Sequence, residues 1–290
     1  VELKVEAVVE LAHFGPFNLP DGIISITVIH DMTVFLYPQH HQFLSQLLQR
    51  LFLPSILRRS EQIITNSNST SNDLIRLFPF AKDKTTAILL GKDESYIPTV
   101  DDRLLEKFNI VQPYILYVGT LEPRKNVTLI IEAYNKLRTQ STLSPQLVVV
   151  GQKGWKADTI FSAIENSPYC KDIVQLGYVE KENLPIFYSM AEVFVYPSMY
   201  EGFGLPVLEA MACGTPVITT RVSSLPEVGG DAVLYIDHCT SDEIKDHLLT
   251  IFSDKRKSRK LVERSISQAN KFSWERTALE YDKLFQAMKH

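Results

Sequence analysis

The sequence predicts an α/β chain of two domains, each built on a parallel sheet covered by helices. Three observations carry this. The chain has 290 residues, more than one doubly wound domain of roughly 100–150 residues needs and enough for two. Short apolar runs end at glycines: Tyr114–Val118 before Gly119, Leu147–Val150 before Gly151, Ile173–Leu176 before Gly177. Helical spacing follows these runs, as in Ile130, Ala133, Tyr134 and Leu137 at i, i+3, i+4 and i+7. Strands buried on both faces read as continuous apolar runs, and their alternation with helices makes the sheet parallel.

The elements follow in order. Val1–Val9 alternates from the first residue, which is not Met, and reads as a chain lacking its natural beginning. Ile24–Ile29, Gln62–Thr65 and Thr85–Leu89 read as strands, with helices over Leu44–Leu57 and Ser69–Leu77. The first of these helices contains Pro54, which should interrupt it. Ser69 or Thr70 is the expected cap of the second. Pro98 and a charged run across Gly91–Val111 place a domain boundary at 111/112. In the second domain, residues 157–166, Leu184–Ala191 and Pro206–Ala212 read as helices, and Val193–Tyr196 and Pro216–Thr219 as strands. Residues 241–289 are helical. The expected domains are therefore 1–111 and 112–270, with a closing helical segment over 271–290.

Composition excludes several classes. Hydrophobic content is 45% and charged content 22%, which rules out general disorder. A net charge of −4 gives no global field for nucleic acid. No stretch approaches the roughly 18 apolar residues of a membrane span. Cys170, Cys213 and Cys239 form no C-x-x-C. A disulfide scaffold is therefore not expected, and a reduced, cytoplasmic compartment fits.

Two segments carry chemistry. Glu201-Gly-Phe-Gly-Leu-Pro-Val-Leu-Glu209 follows a strand and opens a helix. Gly202 and Gly204 allow close approach of a ligand to the backbone, Pro206 suits the first helical turn, and Gly214 suits its end. The N–H groups near Gly204 and Leu205 form an anion site helped by the helix dipole. Glu209 can accept two hydroxyls, as from a ribose, and Glu201 the same from a sugar ring. The bland reading is a glycine-rich turn with two solvated acids. Gly119-Thr-Leu-Glu-Pro-Arg-Lys-Asn126 ends the first strand of the second half, at the same carboxyl edge of the same sheet, where ligands bind in open α/β folds. Arg124 supplies a planar fork and Lys125 a point charge, a pair suited to a diphosphate. Asn126 is the expected cap of the next helix. The bland reading here is a solvated basic turn.

The run E-G-F-G-L-P-V-L-E-A-M-A-C-G-T-P-V resembles the E-x7-E motif of the retaining GT-B glycosyltransferases. These form the glycogen synthase/mannosyltransferase superfamily (glycosyltransferase family 4, glycosyl transferases group 1). G-T-L-E-P-R-K-N is similar to that family's diphosphate loop. Q-L-G-Y-V-E (175–180), Y-P-S-M-Y-E-G-F-G (196–204) and F-S-W-E (272–275) match in order and spacing. The resemblance covers about residues 24–290. It implies two Rossmann-like domains with parallel sheets facing across a cleft, and a last helix crossing back to the first domain. It implies that Glu209 binds the ribose, and that Arg124 and Lys125, with Gly119 and Thr120 in their loop, bind the diphosphate. Glu201 and the backbone of Gly202, Phe203, Gly204 and Leu205 would bind donor sugar and β-phosphate. Tyr178 and Val179 would border the base, and His30 would touch the hexose. Asn66–Ser71 resembles the family's serine-rich S-x-x-T turn, and a plain helix cap is the alternative.

The sequence departs from the family at Thr120, where many members have a basic residue. It also lacks a glycine-rich loop before His30, and its first domain is short for the family. A metal site from His30, Asp31, His40 and His41 fits no compact ligand pattern. The absence of any D-x-D agrees with a metal-independent enzyme that has no resident cofactor. Asn68-Ser-Thr70 and Asn126-Val-Thr128 are sequons read as chance. Residues 43–59 combine leucines with Arg50, Arg58 and Arg59. They read either as a core-facing helix or as a peripheral contact with the inner face of a membrane.

The expected activity is hexose transfer to a glycan or lipid-linked glycan acceptor in polysaccharide biosynthesis. UDP-glucose is the expected donor, with another UDP-hexose or GDP-mannose as alternatives. A sugar-nucleotide 2-epimerase and a catalytically reduced nucleotide-sugar-binding subunit are the competing classes.

Overall fold

The computed structural model describes residues 5–13, 19–20, 22–40 and 43–288. These form two compact units. The first holds the described residues of Val1–Gly91, Glu201–Phe203 and Trp274–His290; the second holds Lys92–Tyr200 and Gly204–Ser273.

The first unit contains β1 (Ala7–Glu10), β2 (Ile24–Ile29), α1 (Thr33–Leu36), α2 (Phe43–Arg59), β3 (Gln62–Thr65), α3 (Asn68–Leu77) and β4 (Thr85–Ala87). Its four strands are parallel in the order β1-β2-β3-β4. Strand alternation sends side chains to both faces. Ile29 and Ile63 join Leu53 and Leu57 of α2 and Leu74 of α3 in one buried cluster. Ile26, Val28 and Ile64 face the other way, against Tyr281, Leu284 and Phe285 of the closing helix, Trp274–Ala287.

Two expectations about this unit are corrected. α2 runs through Pro54 without ending. The residues around the proline (Leu53, Ile56 and Leu57) are all buried, and that packing holds the helix where the missing N–H alone would weaken it. The cap of α3 is Ser67, not Ser69 or Thr70: its backbone is extended and its Oγ accepts the Thr70 N–H at 3.0 Å. Both offered residues lie inside the helix, so the serine-rich run hid which member stands just before the first turn.

The second unit contains α4 (Asp102–Lys107), β5 (Tyr114–Val118), α5 (Val127–Gln140), β6 (Gln146–Val150), α6 (Asp158–Glu165), β7 (Ile173–Gly177), α7 (Leu184–Met190), β8 (Val193–Tyr196), α8 (Leu205–Ala212), β9 (Val217–Thr220), α9 (Leu225–Gly229), β10 (Leu234–Ile236), α10 (Ser241–Ser253) and α11 (Lys255–Ala269). Trp274–Ala287 is α12. The sheet is parallel in the order β10-β9-β8-β5-β6-β7, the doubly wound arrangement whose strand order reverses between β5 and β8. Every residue of β5 is buried, as are Ile130, Ala133, Tyr134 and Leu137 of α5.

The compact units part at Gly91/Lys92, upstream of the expected 111/112. The intervening segment belongs to the second unit through its contacts: Thr99 N–H donates to Ser189 Oγ at 3.0 Å, and Gln112 donates to the Met190 carbonyl at 2.7 Å.

Candidate functional site

In a doubly wound sheet, ligands bind outside the carboxyl ends of the strands at the point of reversal. Here that point lies between β5 and β8. The loops leaving those strands are Gly119–Asn126 and Pro197–Gly204, the two segments that the sequence marks as chemical.

The fold brings these loops together within the second unit. Met199 N–H donates to the Arg124 carbonyl at 2.9 Å. The Arg124 guanidinium donates to the Tyr200 carbonyl and, at 2.5 Å, to Glu122. Lys125 is buried; its Nζ donates to Tyr196 Oη at 2.6 Å and sits 5.1 Å from the centre of that ring. Both cations are therefore held in place by neighbours before any ligand arrives. Glu122 partly neutralises Arg124, a pairing that charge counting along the sequence did not register.

Asn126 occupies the N-cap position of α5, but its side chain does not cap. It adopts a left-handed backbone (φ 53°) and donates Nδ2 to the Pro197 carbonyl at 3.0 Å. The expected cap is thus a tie between the two loops. Gly119 leaves the end of β5, and Thr120, beside it, is exposed. Tyr117 Oη donates to the Thr120 carbonyl at 3.0 Å.

Helix α8 begins at Leu205 after Gly204, whose φ is 108°. Its first intrahelical donors are Val207 and Leu208, both to the Gly204 carbonyl. The N–H groups of Gly204 and Leu205 precede them, as an anion site at a helix N-terminus requires.

One turn in, Glu209 is half-buried, and its carboxylate accepts Tyr188 Oη at 3.0 Å. Tyr96 is buried beside it, its ring 6.0 Å from that of Tyr188. Burial raises the Glu209 carboxyl above the usual range, against the pull of the Tyr188 hydroxyl and of Lys181. Folding thus favours its neutral form. That contribution is complete below the unfolded-state pKa and is lost as pH rises through the raised value. Glu209→Gln should therefore gain melting temperature relative to the wild type as pH goes from 5 to 8. A difference that stays constant or shrinks would contradict this.

Tyr178 is exposed, with Oη 3.4 Å from Glu180, while Val179 is buried. Nearby, Lys181 pairs with Asp93 at 2.6 Å on the rim of a pocket of about 410 Å³ that Ser95, Thr99 and Pro185 also line. Tyr96, Tyr188 and Lys181 were not foreseen. Their sequence positions read as core or surface, and only the fold brings them to Glu209.

Glu201, Gly202 and Phe203 count with the first unit. There the Gly202 carbonyl accepts Ser67 Oγ at 2.6 Å and Thr70 Oγ1 at 3.1 Å. The S-x-x-T turn is therefore both a cap and a clamp on this segment. A Cβ on Gly202 would lie 2.0 Å from the His30 carbonyl, so only glycine permits that approach. Glu201 and Phe203 are buried. His30 is exposed; its N–H donates to His13 Nε2 at 2.9 Å, and its own Nε2 donates to the Leu11 carbonyl at 2.6 Å. A neutral His30 ring then presents Nδ1 as an acceptor.

Asp31 receives both the N–H and the hydroxyl of Thr33, which commits it to the start of α1. The His40 and His41 side chains lie outside the described residues, and no group of metal-holding side chains is found among the described residues.

Two parallel-sheet α/β units, the second with tied loops at its strand reversal, define a Rossmann-type class of protein. Residues 102–268 match the family model for glycosyl transferases group 1, and the chain belongs to that family. It is 37% identical over 269 residues to O-antigen chain mannosyltransferase B of Escherichia coli, covering 91% of this chain and 71% of that one. It is 28% identical over 228 residues to the serotype-specific mannosyltransferase WbdA of Escherichia coli, covering 76% of this chain and 28% of that one. Among solved structures, Anabaena HepE in complex with UDP-glucose aligns with a TM-score of 0.79 at 18% identity, covering 91% of this chain and 72% of that one. That likeness establishes the GT-B type of fold.

Proposed function

We propose that the chain transfers a hexose from a nucleotide diphosphate sugar to a hydroxyl of a glycan or lipid-linked glycan in polysaccharide biosynthesis, with retention at the anomeric carbon. The observation that supports this most is the tying of the Gly119–Asn126 loop to the Pro197–Tyr200 loop at the point of strand reversal. In this reading Gly119 and Thr120 border the diphosphate. Arg124, Lys125 and the N–H groups of Gly204 and Leu205 stabilise the charge that develops on it. Glu209 receives the ribose hydroxyls, and Tyr178 and Val179 border the base. His30, Glu201, Gly202 and Phe203 belong to the hexose side. A bond forms between the acceptor oxygen and the anomeric carbon on the face from which the phosphate departs. The anomeric carbon–oxygen bond breaks, and the leaving phosphate takes the acceptor proton.

Two relatives are named mannosyltransferases, which favours GDP-mannose over the UDP-glucose expected from the sequence. A thermal-shift panel of UDP, GDP and ADP sugars tests this. A cognate donor at about 100 Kd should stabilise the protein by roughly 2.7 kcal/mol. No shift with any of them overturns the reading. Release of a free epimerised sugar from donor alone would point to the epimerase class instead.

The reaction as proposed uses no metal and no resident cofactor, so a chelator should leave the rate unchanged. A loss of rate restored by a divalent cation would contradict that.

Peripheral membrane contact belongs to the same proposal. Leu47, Leu48, Leu51 and Phe52 of α2 are exposed beside Arg50, although no helix among the described residues is long and apolar enough to cross a membrane. The protein should float with vesicles containing anionic lipid and lose that association on Leu51→Glu with Phe52→Glu. Equal flotation of variant and wild type would refute it.

A further inference from the structure

We propose that His13 is a positioning residue for His30: as a neutral imidazole it clasps the end of β2 and so keeps His30 in the one tautomer that offers a ring acceptor to the transferred hexose. This rests on the reading that places His30 beside that hexose.

The protons on both rings are dictated by partners that cannot titrate. The His30 backbone N–H can only donate, and it meets His13 Nε2 at 2.9 Å. That nitrogen must therefore carry a lone pair, so His13 is neutral with its proton on Nδ1. The Leu11 carbonyl can only accept, and it meets His30 Nε2 at 2.6 Å. His30 Nε2 must therefore carry a proton, and a neutral His30 keeps its acceptor at Nδ1. A third bond, from the His13 N–H to the Val28 carbonyl at 3.2 Å, ties the same short segment to β2.

The backbone of this segment departs from the ordinary. His13 stands at φ 65°, a left-handed conformation uncommon for a residue other than glycine. Such strain persists where the surroundings over-determine it, and it gathers at functional sites. Around His30 the over-determination is visible. The Leu11 carbonyl holds its ring, His13 Nε2 holds its backbone, and the two imidazoles lie 5.6 Å apart.

The clasp carries a pH dependence. Burial pushes the His13 imidazole below the ordinary histidine value, Asp31 pulls it back up, and His30 adds a smaller push down. Asp31 and His30, both just after β2, are the titratable groups that face it among the described residues. Once protonated, His13 Nε2 carries a hydrogen aimed at the His30 N–H. Two donors then face each other, and the bond is lost. Turnover should fall as His13 gains its proton, at a pH below about 6.5.

Nitrogen-15 correlation spectra of the histidine rings test the clasp without any substrate. At about pH 8, His13 should show a protonated Nδ1 and a bare Nε2, and His30 the reverse. The opposite tautomer in either ring, or a His13 that titrates above about 6.5, overturns the inference. The consequence is read as GDP release from GDP-mannose and UDP release from UDP-glucose, with water as the acceptor, against pH. Gln Oε1 can stand where His Nε2 stands and accepts a hydrogen bond without titrating. His13→Gln should therefore keep the wild-type rate at neutral pH and lose the fall that begins below about 6.5. His13→Leu should be slower by about tenfold or more at every pH. A glutamine variant as slow as the leucine variant marks a packing role and overturns the inference, as does a leucine variant as fast as the wild type. Wild-type turnover in His30→Ala would remove the hexose reading of His30, a result separate from the tautomers that the spectra report. The spectra need neither substitution at position 13, so the clasp is tested even where His13→Leu fails to fold.

Discussion

Replacing Arg124 and Lys125 together with alanine should lower the transfer rate by more than a hundredfold. Removing one pre-positioned donor to a developing anion costs about 10²–10³ in kcat, and this pair supplies two cations to one loop. Their environments differ, and so should the single variants. Lys125 is buried against Tyr196, to whose hydroxyl it donates; Lys125→Met removes the charge while keeping much of the packing. Arg124 shares its guanidinium between the Tyr200 carbonyl and Glu122. Arg124→Ala therefore does more than delete a cation. It frees the Glu122 carboxylate beside the proposed position of the diphosphate, and like charges in a partly desolvated site repel strongly. Adding Glu122→Gln to Arg124→Ala should recover part of the lost rate. Arg124→Lys should not restore full activity, because an ammonium cannot span two acceptors in the plane of the fork. Steady-state rates against donor concentration check all of these. Wild-type rates in the double alanine variant would remove the assignment of the loop.

The second large effect is expected at Gly151, which follows β6. Its φ is 148°, and a Cβ there would lie 1.9 Å from the Gly119 carbonyl oxygen. Gly151 N–H donates to the Gly177 carbonyl at 2.8 Å, and Gly119 N–H donates to the Val150 carbonyl at 2.9 Å. Both residues are pinned by neighbouring strands, so neither can yield cheaply. Gly151→Ala should cost about 3 kcal/mol from backbone strain and overpacking together, or roughly 6–12 °C in melting temperature for a unit of this size. Because the displaced residue heads the loop proposed to hold the diphosphate, donor affinity should fall as well. A variant melting within about 1 °C of the wild type would contradict the argument.

The second unit was largely legible in the sequence for a physical reason. A central parallel strand is buried on both faces, so Tyr114–Val118 shows as an unbroken apolar run, and the glycine after it marks where the chain turns beside a ligand edge. Leu234–Ile236 escaped notice because a three-residue edge strand leaves too short a pattern. Local capping was misread for a related reason. In Asn66–Ser71 several residues can cap, and only the backbone geometry singles out Ser67. Asn126 likewise offers the chemistry of a cap but spends its amide on the Pro197 carbonyl.

The sequence marked Arg124, Lys125 and Glu209 in contiguous segments, and the structure places the first two in one loop tied to the next and the third one turn into α8. The site was not legible where partners are distant in sequence. Tyr188 is a helical residue that ordinary periodicity assigns to the core, and it is buried there. Its hydroxyl meets Glu209 only because α7 and α8 lie side by side. Tyr96 comes from a segment that the sequence assigned to the first domain, so its packing beside Tyr188 becomes visible only once that segment is placed with the second unit.

The central claim is that the loops after β5 and β8 hold a nucleotide diphosphate sugar. Calorimetric titration of GDP-mannose and UDP-glucose into wild type and Glu209→Gln tests it most directly. The wild type should bind one of these donors saturably and the variant at least about tenfold more weakly, since a charge-assisted hydrogen bond is lost. Equal affinity in the two proteins, or no binding of either donor by the wild type, would contradict it.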